Sequence, residues 1–383
     1  MVLHTDVRRP TWAEIDLDAL ARNLHSIRDF IGEGIKVMGV VKANAYGHGA
    51  IPCARRLEAE GVDWLGVATV EEAIELREGG VTTPILSFGS FWPGQENLLF
   101  GHDVTPAIFD HERARLLDAK ARELGVVKTI HIKIDTGMGR VGIPSCEAAG
   151  WAEELRKFEN LHVEGLMTHF ASADDLTDEF TNTQMLRFAE AVSVFHEKGF
   201  RPTILDMANS PGAVGHSDSR ATMVRIGGIL YGLGDDVLPK GIEKPNLEPV
   251  MSLHSRIAFL KNVSAGETIG YGRTFTTERE SVIATVPIGY HDGYKRALSN
   301  RGSALVNGEV VPVVGRVSMD WITIDVTGQP DVGIGDEIVL LGSQGNSRIT
   351  AGEIALKCDT ISYEITSGLS SRVSRVFVST NVD

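Results

Sequence analysis

The stretch Val37-Met38-Gly39-Val40-Val41-Lys42-Ala43-Asn44-Ala45-Tyr46-Gly47-His48-Gly49 sets the frame for the rest of the chain. Its apolar start, Val37 to Val41, reads as a buried strand, and the strand stops at a lysine followed by small residues and two glycines. Lysine is seldom buried alone. Two readings fit Lys42. Its stem can pack while its ammonium reaches water or a carboxylate. Alternatively, it is a desolvated amine with a lowered pKa, poised as a nucleophile toward a carbonyl. Tyr46, one helical turn later, adds a phenol to the same pocket.

The same kind of short apolar strand recurs down the chain, at Trp64-Ala68, Pro84-Phe88, Val104-Ile108, Thr129-Ile134, Val163-Thr168, Thr203-Met207 and Thr222-Ile226. Helical patterns separate most of these: Ala50-Glu60, Val70-Glu78, His111-Leu124, Ser145-Phe158 and Asp178-Lys198. An alternating strand at Thr11-Leu17 and a helix capped by Asp18 precede them. Eight strands alternating with helices over about 200 residues predict a closed (β/α)8 barrel, whose active site lies where the strands end. The periodicity changes after Gly234. Asp235 to Pro249 reads as a linker. Strand-like runs follow at Ser252-Leu260, Ser281-Pro287, Ala304-Val306, Val310-Val314, Ile322-Val326 and Glu337-Leu341, with a hairpin signal at Asn307-Gly308. The division expected is an α/β barrel over residues 1–240 and a mainly β domain over 241–383.

Composition narrows the function classes. The chain has 383 residues and a formal charge of −14, which disfavours a nucleic-acid or anionic-membrane surface. Its three cysteines, Cys53, Cys146 and Cys358, support neither a disulfide framework nor a zinc site. No apolar run reaches the 18 or so residues of a membrane span, and the charged first ten residues lack a signal peptide's apolar core. A cytoplasmic protein is expected.

Polar residues gather at the predicted strand ends: Lys42 after the first, Lys133 or Asp135 on the fifth, His169 after the sixth, Asn209 and Ser210 after the seventh, Arg225 on the eighth. Taken singly, His169 could be a satisfied core histidine and Arg225 a partner for a barrel carboxylate. Together on one rim they point to a ligand site. The last two loops, Asn209-Ser210-Pro211-Gly212 and Arg225-Ile226-Gly227-Gly228, occupy the usual phosphate position of such barrels. A lysine sharing that rim with a phosphate cradle implies pyridoxal 5'-phosphate, which needs an amine, an anion site and a partner for its ring nitrogen.

These motifs resemble the bacterial alanine racemase family across essentially the whole chain. The resemblance implies that Lys42 carries the cofactor, that Tyr46, Ser210, Gly227, Gly228 and Tyr363 contact its phosphate, and that Arg225 meets the ring nitrogen. In Lys133-Ile134-Asp135-Thr136-Gly137-Met138-Gly139-Arg140 it implies an arginine on the cofactor's phenolic oxygen and the substrate carboxylate, and a lysine that is carbamylated in many members. His169 matches an imidazole near the pyridine ring, and Asn209 belongs to the same rim. From Gly289-Tyr290-His291-Asp292-Gly293 it implies Tyr290 as a second base, and from Ser318-Met319-Asp320 a substrate-facing segment. His291 and Ser318 depart from the alanine and cysteine common in the family. The implied assembly is a head-to-tail homodimer with shared sites, acting on a small amino acid and supplying D-alanine for cell-wall peptidoglycan.

The chemistry agrees with the resemblance. Racemisation removes a Cα proton on one face and returns one on the other, which calls for two bases. An arginine cannot surrender its proton, so a ring nitrogen facing Arg225 stays unprotonated and the ring is a weaker electron sink. That favours a racemase over a transaminase or a basic-amino-acid decarboxylase, which would place an acid there. A non-catalytic cofactor carrier would need neither Tyr290 nor the second domain. A racemase of another small amino acid, such as serine, is the closest alternative, since one hydroxymethyl changes discrimination by only about 1–3 kcal/mol.

Overall fold

The computed structural model describes residues 9–379. The chain divides into two compact units, one running Leu20–Glu248 and the other combining the chain up to Ala19 with the chain from Pro249 onward.

In the first unit the eight expected strands are all present: β1 (Lys36–Val40), β2 (Trp64–Val67), β3 (Ile85–Ser87), β4 (Val104–Ile108), β5 (Lys128–Asp135), β6 (Leu161–Met167), β7 (Ile204–Asp206) and β8 (Met223–Ile226). Each pairs in parallel with its neighbours, and β8 pairs with β1 through Val224↔Val37, which closes the barrel. Helices Ala50–Ala59, Val70–Glu78, Glu96–Gly101, His111–Leu124, Ala148–Leu155 and Phe180–Glu197 occupy the crossovers. The barrel interior is a layer of Met38, Trp64, Leu86, Ala107, Met167, Ile204 and Met223, with Phe88 packed against it. His131 supplies the β5 position beside Trp64. Side chains alternate along a strand. Two residues beyond this layer the same strands therefore present Lys133, His169, Asp206 and Arg225 inward, toward the C-terminal mouth.

The second unit is mainly β. Its largest sheet runs Glu309–Pro312, Ser303–Val306, Glu337–Gln344, Met251–Arg256, Thr11–Asp16, Ser374–Val378. A three-stranded sheet joins Phe259–Val263, Ser281–Val286 and Ile322–Asp325. Asn307 and Gly308 form the expected two-residue turn, with Val306 opposite Glu309.

Four expectations are corrected. The first strand, placed in the barrel domain by chain order, pairs antiparallel with Met251–Arg256 and parallel with Ser374–Val378, so it belongs to the β unit. The single strand expected over Ser252-Leu260 is two strands in different sheets, broken where Ile257 N–H bonds to Asp336 O. The first helix, Leu17–Ile31, has its Ala19 N–H capped by Asp16 rather than Asp18. The fourth concerns Tyr46. It does not follow Lys42 by a right-handed helical turn, because Ala43, Asn44, Ala45 and Tyr46 all have φ of 52–53°.

Candidate active site

The left-handed turn after β1 is the most unusual backbone in the barrel. A left-handed residue other than glycine costs about 1–2 kcal/mol, so four in succession need support. Glu72 Oε1 accepts Ala43 N–H at 2.7 Å, and Asn44 Oδ1 accepts Ala50 N–H at 2.7 Å. The same Glu72 is the third residue of the capping box that starts Val70–Glu78 with Thr69. One carboxylate thus fixes a helix start and the turn that aims Lys42 and Tyr46.

Lys42 is half-buried, and its pKa is lowered chiefly by burial, with Arg140 and Arg225 adding to the effect and Glu72 opposing it. Lys133 is only 6% exposed and held well below its ordinary value by burial and by Arg225 and Arg140, against the opposing pull of Asp206 and Asp135. Two amines destabilised as cations by nearby guanidinium groups mark a mouth that favours an anion.

Arg225 is anchored from several sides. Its Nη1 forms an ion pair with the buried Asp206, and its Nη2 donates to Thr168 O at 2.8 Å and Met207 O at 3.2 Å, and lies 3.1 Å from His169 Nδ1. It therefore does pair with a barrel carboxylate, and it reaches the imidazole as well. His169 is held well below its ordinary pKa by burial and by Arg225, Lys133, Arg140 and Lys42, so the ring is neutral.

The last two loops build a small cradle. Ser210 Oγ accepts Gly227 N–H at 3.1 Å, which leaves the serine proton to donate outward. A Cβ on Gly227 would collide with Tyr46 Oη, so the phenol and the loop meet only because this position is glycine. Burial pushes the Tyr46 phenol up to about 12, keeping it a donor. Gly228 begins the single turn Gly228–Tyr231. Asn209 is the N-cap of Ser210–Gly215, its Oδ1 accepting Gly212 N–H at 3.0 Å. Its carbonyl is therefore occupied in shaping the loop. Arg140 lies on an exposed loop whose Gly137 and Gly139 amides bond to Asp135.

In the β unit, Tyr290, Met319 and Asp320 come together. Tyr290 N–H donates to Ser318 O at 2.9 Å and His291 N–H to Met319 O at 3.1 Å. The Tyr290 side chain is 41% exposed. Tyr363 lies on the nearby helix Ser362–Ser367, whose Glu364 pairs with Lys295 at 3.0 Å. Glu72, Asp206 and Asp292 were not singled out by motif reading. Asp206 was findable, since it stands one alternation beyond an inward Ile204.

The family pattern for the alanine racemase N-terminal domain matches residues 15–235, and that for the C-terminal domain matches residues 250–377. The chain belongs to the alanine racemase family. An alanine racemase from Halothermothrix orenii is 45% identical over 373 residues, 97% of each chain. The alanine racemase of Clostridium difficile 630 superposes with a TM-score of 0.90 at 39% identity, over 98% of this chain and 97% of that one. An alanine racemase from Bartonella henselae, solved with covalently bound pyridoxal phosphate, is 28% identical with a TM-score of 0.86, over 96% of this chain and 99% of its own. The barrel followed by a β unit is the architecture these racemases share. No described helix is long and apolar enough to cross a membrane, and the described residues contain no cluster that could hold a metal ion.

Proposed function

We propose that this chain interconverts L-alanine and D-alanine with pyridoxal 5'-phosphate, using Lys42 and Tyr290 as its two bases. The observation that carries the reading is the electropositive barrel mouth, where a desolvated Lys42 shares the rim with the cradle of Tyr46, Ser210 and Gly227.

The residues fit this cofactor. Tyr46, Ser210, Gly227, Gly228 and Tyr363 would hold its phosphate, and Arg225 its ring nitrogen. His169 would lie along the ring and Arg140 against its phenolic oxygen, with Asn209 shaping the loop. When bound, it supplies the electron sink that acidifies the substrate's Cα–H. Lys42 has the lowered pKa that a neutral amine needs to accept a proton, and it takes the one from the D-enantiomer. Tyr290 takes the proton from the L-enantiomer. Arg225 holds its charge against Asp206 and cannot pass on a proton, so it positions without acting as an acid. Arg140, Met319 and Asp320 would orient the substrate, and Lys133, kept neutral, would be free to form a carbamate with carbon dioxide.

Lys42 and Tyr290 belong to different units, and we infer a head-to-tail homodimer in which each site draws on both chains. Its place would be the cytoplasm, and its product a precursor of peptidoglycan. A panel of L-amino acids, each incubated with the cofactor-loaded enzyme and analysed on a chiral column, tests the reading. D-Alanine should form fastest. Faster D-serine would shift the assignment to the nearest rival, and no D-product at all would refute it.

A further inference from the structure

Helix Phe180–Glu197 buries a stripe made of Thr181, Gln184, Phe188, Ala191 and Phe195. Gln184 brings a primary amide into that stripe, and it is fully buried. Burying an amide costs free energy unless its oxygen and its N–H groups are all bonded. Here they are. Gln184 Oε1 accepts Ala171 N–H at 2.9 Å, and Nε2 donates to His169 O at 3.0 Å and to Thr136 Oγ1 at 3.2 Å. Strand β6 ends just before this point. Thr168 N–H still donates to Asp206 O at 2.9 Å, in the manner of the sheet. Beyond Thr168 the side-chain amide stands in for a neighbouring strand, pairing with the carbonyl of His169 and with the N–H two residues on. An ionised carboxyl could not do this, because it only accepts.

The third bond reaches the strand alongside. Thr136 follows β5, its Oγ1 lies 2.8 Å from Thr168 Oγ1, and its carbonyl accepts Arg187 Nη1 at 2.9 Å. Phe180 closes the same spot, since a Cβ on Gly137 would come within 2.5 Å of its ring. Phe180, Gln184 and Arg187 share one helix face and grip the root of the loop that carries Arg140. His169 depends on its backbone in the same way, because its Nδ1 meets Arg225 Nη2 at 3.1 Å. We propose that Gln184 is a positioning residue that sets the His169 imidazole and the Arg140 loop in register with one another. This rests on the reading of the barrel mouth as the pyridoxal phosphate site. In that reading His169 lies along the cofactor ring and Arg140 at its phenolic oxygen, so a shift of either strand end misaligns the ring and the substrate carboxylate. Displacement of a reacting group by about 1 Å can cost about 10²-fold in rate.

The test compares Gln184→Met with Thr136→Val. Methionine keeps the length of the side chain and suits an apolar stripe, but it makes none of the three bonds. Valine keeps the shape of Thr136 and removes only the arm that leads to the Arg140 loop. In the cofactor-free Gln184→Met protein, the Ala171 amide should exchange faster, and the ¹⁵N signals of His169 should move away from the pure Nε2–H tautomer. Its affinity for pyridoxal phosphate, read by absorbance titration, should fall about tenfold. Racemisation by the cofactor-saturated variant should fall about 10²-fold in kcat. Thr136→Val should raise KM for alanine and weaken cofactor binding while leaving the His169 signals as they are, and it decides the matter if Gln184→Met fails to fold. Faster Ala171 exchange with His169 signals, cofactor affinity and kcat all unchanged would make Gln184 a packing residue and overturn the proposal. So would Thr136→Val with parental KM and affinity. If the parent itself takes up no pyridoxal phosphate, the reading of the mouth fails instead, and the His169 and Ala171 measurements, made without cofactor, still judge the positioning.

Discussion

Arg225 Nη2 lies 3.1 Å from His169 Nδ1, and since a guanidinium only donates, the imidazole must accept there and carry its single proton on Nε2. Burial first, and then the guanidinium groups of Arg225 and Arg140 with Lys133 and Lys42 nearby, hold the ring well below the ordinary histidine range. With ¹⁵N-labelled histidine, the His169 nitrogens should report the neutral Nε2–H tautomer unchanged from about pH 6 to 9. Titration with a midpoint near the ordinary histidine value of 6.5 would contradict this environment.

Gly227 and Tyr46 are in contact, and a methyl group on the first would strike the hydroxyl of the second. Gly227→Ala should therefore weaken binding of pyridoxal phosphate by about tenfold or more, a loss of roughly 1.4 kcal/mol. Adding Tyr46→Phe, which deletes the struck atom, should cost less in the Gly227→Ala background than in the parent. Absorbance titration of the cofactor-free proteins measures the cycle, and strict additivity would show that the two do not meet.

Lys133 is a buried amine whose pKa is held well down chiefly by burial, with Arg225 and Arg140 adding to the effect. The neutral amine is the form that adds carbon dioxide. In ¹³C-bicarbonate the protein should show a carbamate carbon signal that Lys133→Ala removes. A signal that survives the substitution would assign the carbamate elsewhere.

Lys128, at the start of β5, donates to Leu99 O at 2.9 Å and lies over the Phe100 ring, and burial lowers its pKa to about 8. The unfolded chain then binds more protons than the folded one between about pH 8 and the ordinary lysine value of 10.5, so stability rises with pH through that window. Below pH 8 the contribution is flat and unfavourable. Lys128→Met should remove the rise, narrowing the parent–variant difference in unfolding free energy by up to about 3 kcal/mol from pH 8 to 10.5. Urea unfolding at both ends of the window reads it, and parallel pH curves for the two proteins would refute the shift.

The barrel was legible because its strands are short, largely apolar runs at regular intervals, several of which stop at a polar residue, and inward alternation carries the pattern of Met167 and Met223 on to His169 and Arg225. What escaped sequence reading was set by contacts distant along the chain. Thr11–Asp16 looks like any leading strand until Met251–Arg256 and Ser374–Val378 flank it. Nothing in Ala43-Asn44-Ala45-Tyr46 announces a left-handed turn, because its support comes from Glu72, 29 residues away. Asp292 sits inside a quoted motif, yet its partners Arg9 and Arg372 are far off in sequence, and only the folded β unit shows why the acid is there.

If two bases act on fixed faces, Lys42 on the D-enantiomer and Tyr290 on the L-enantiomer as proposed, removing one leaves proton exchange on the other face. Tyr290→Phe, loaded with pyridoxal phosphate, should be incubated with each alanine enantiomer in deuterated water and the recovered amino acid weighed by mass spectrometry. Racemisation should nearly vanish in both directions, since each needs both faces. D-Alanine should still exchange its Cα proton, because Lys42 can remove and return it alone, while L-alanine exchanges far more slowly. Equal loss of exchange for the two enantiomers would contradict the account.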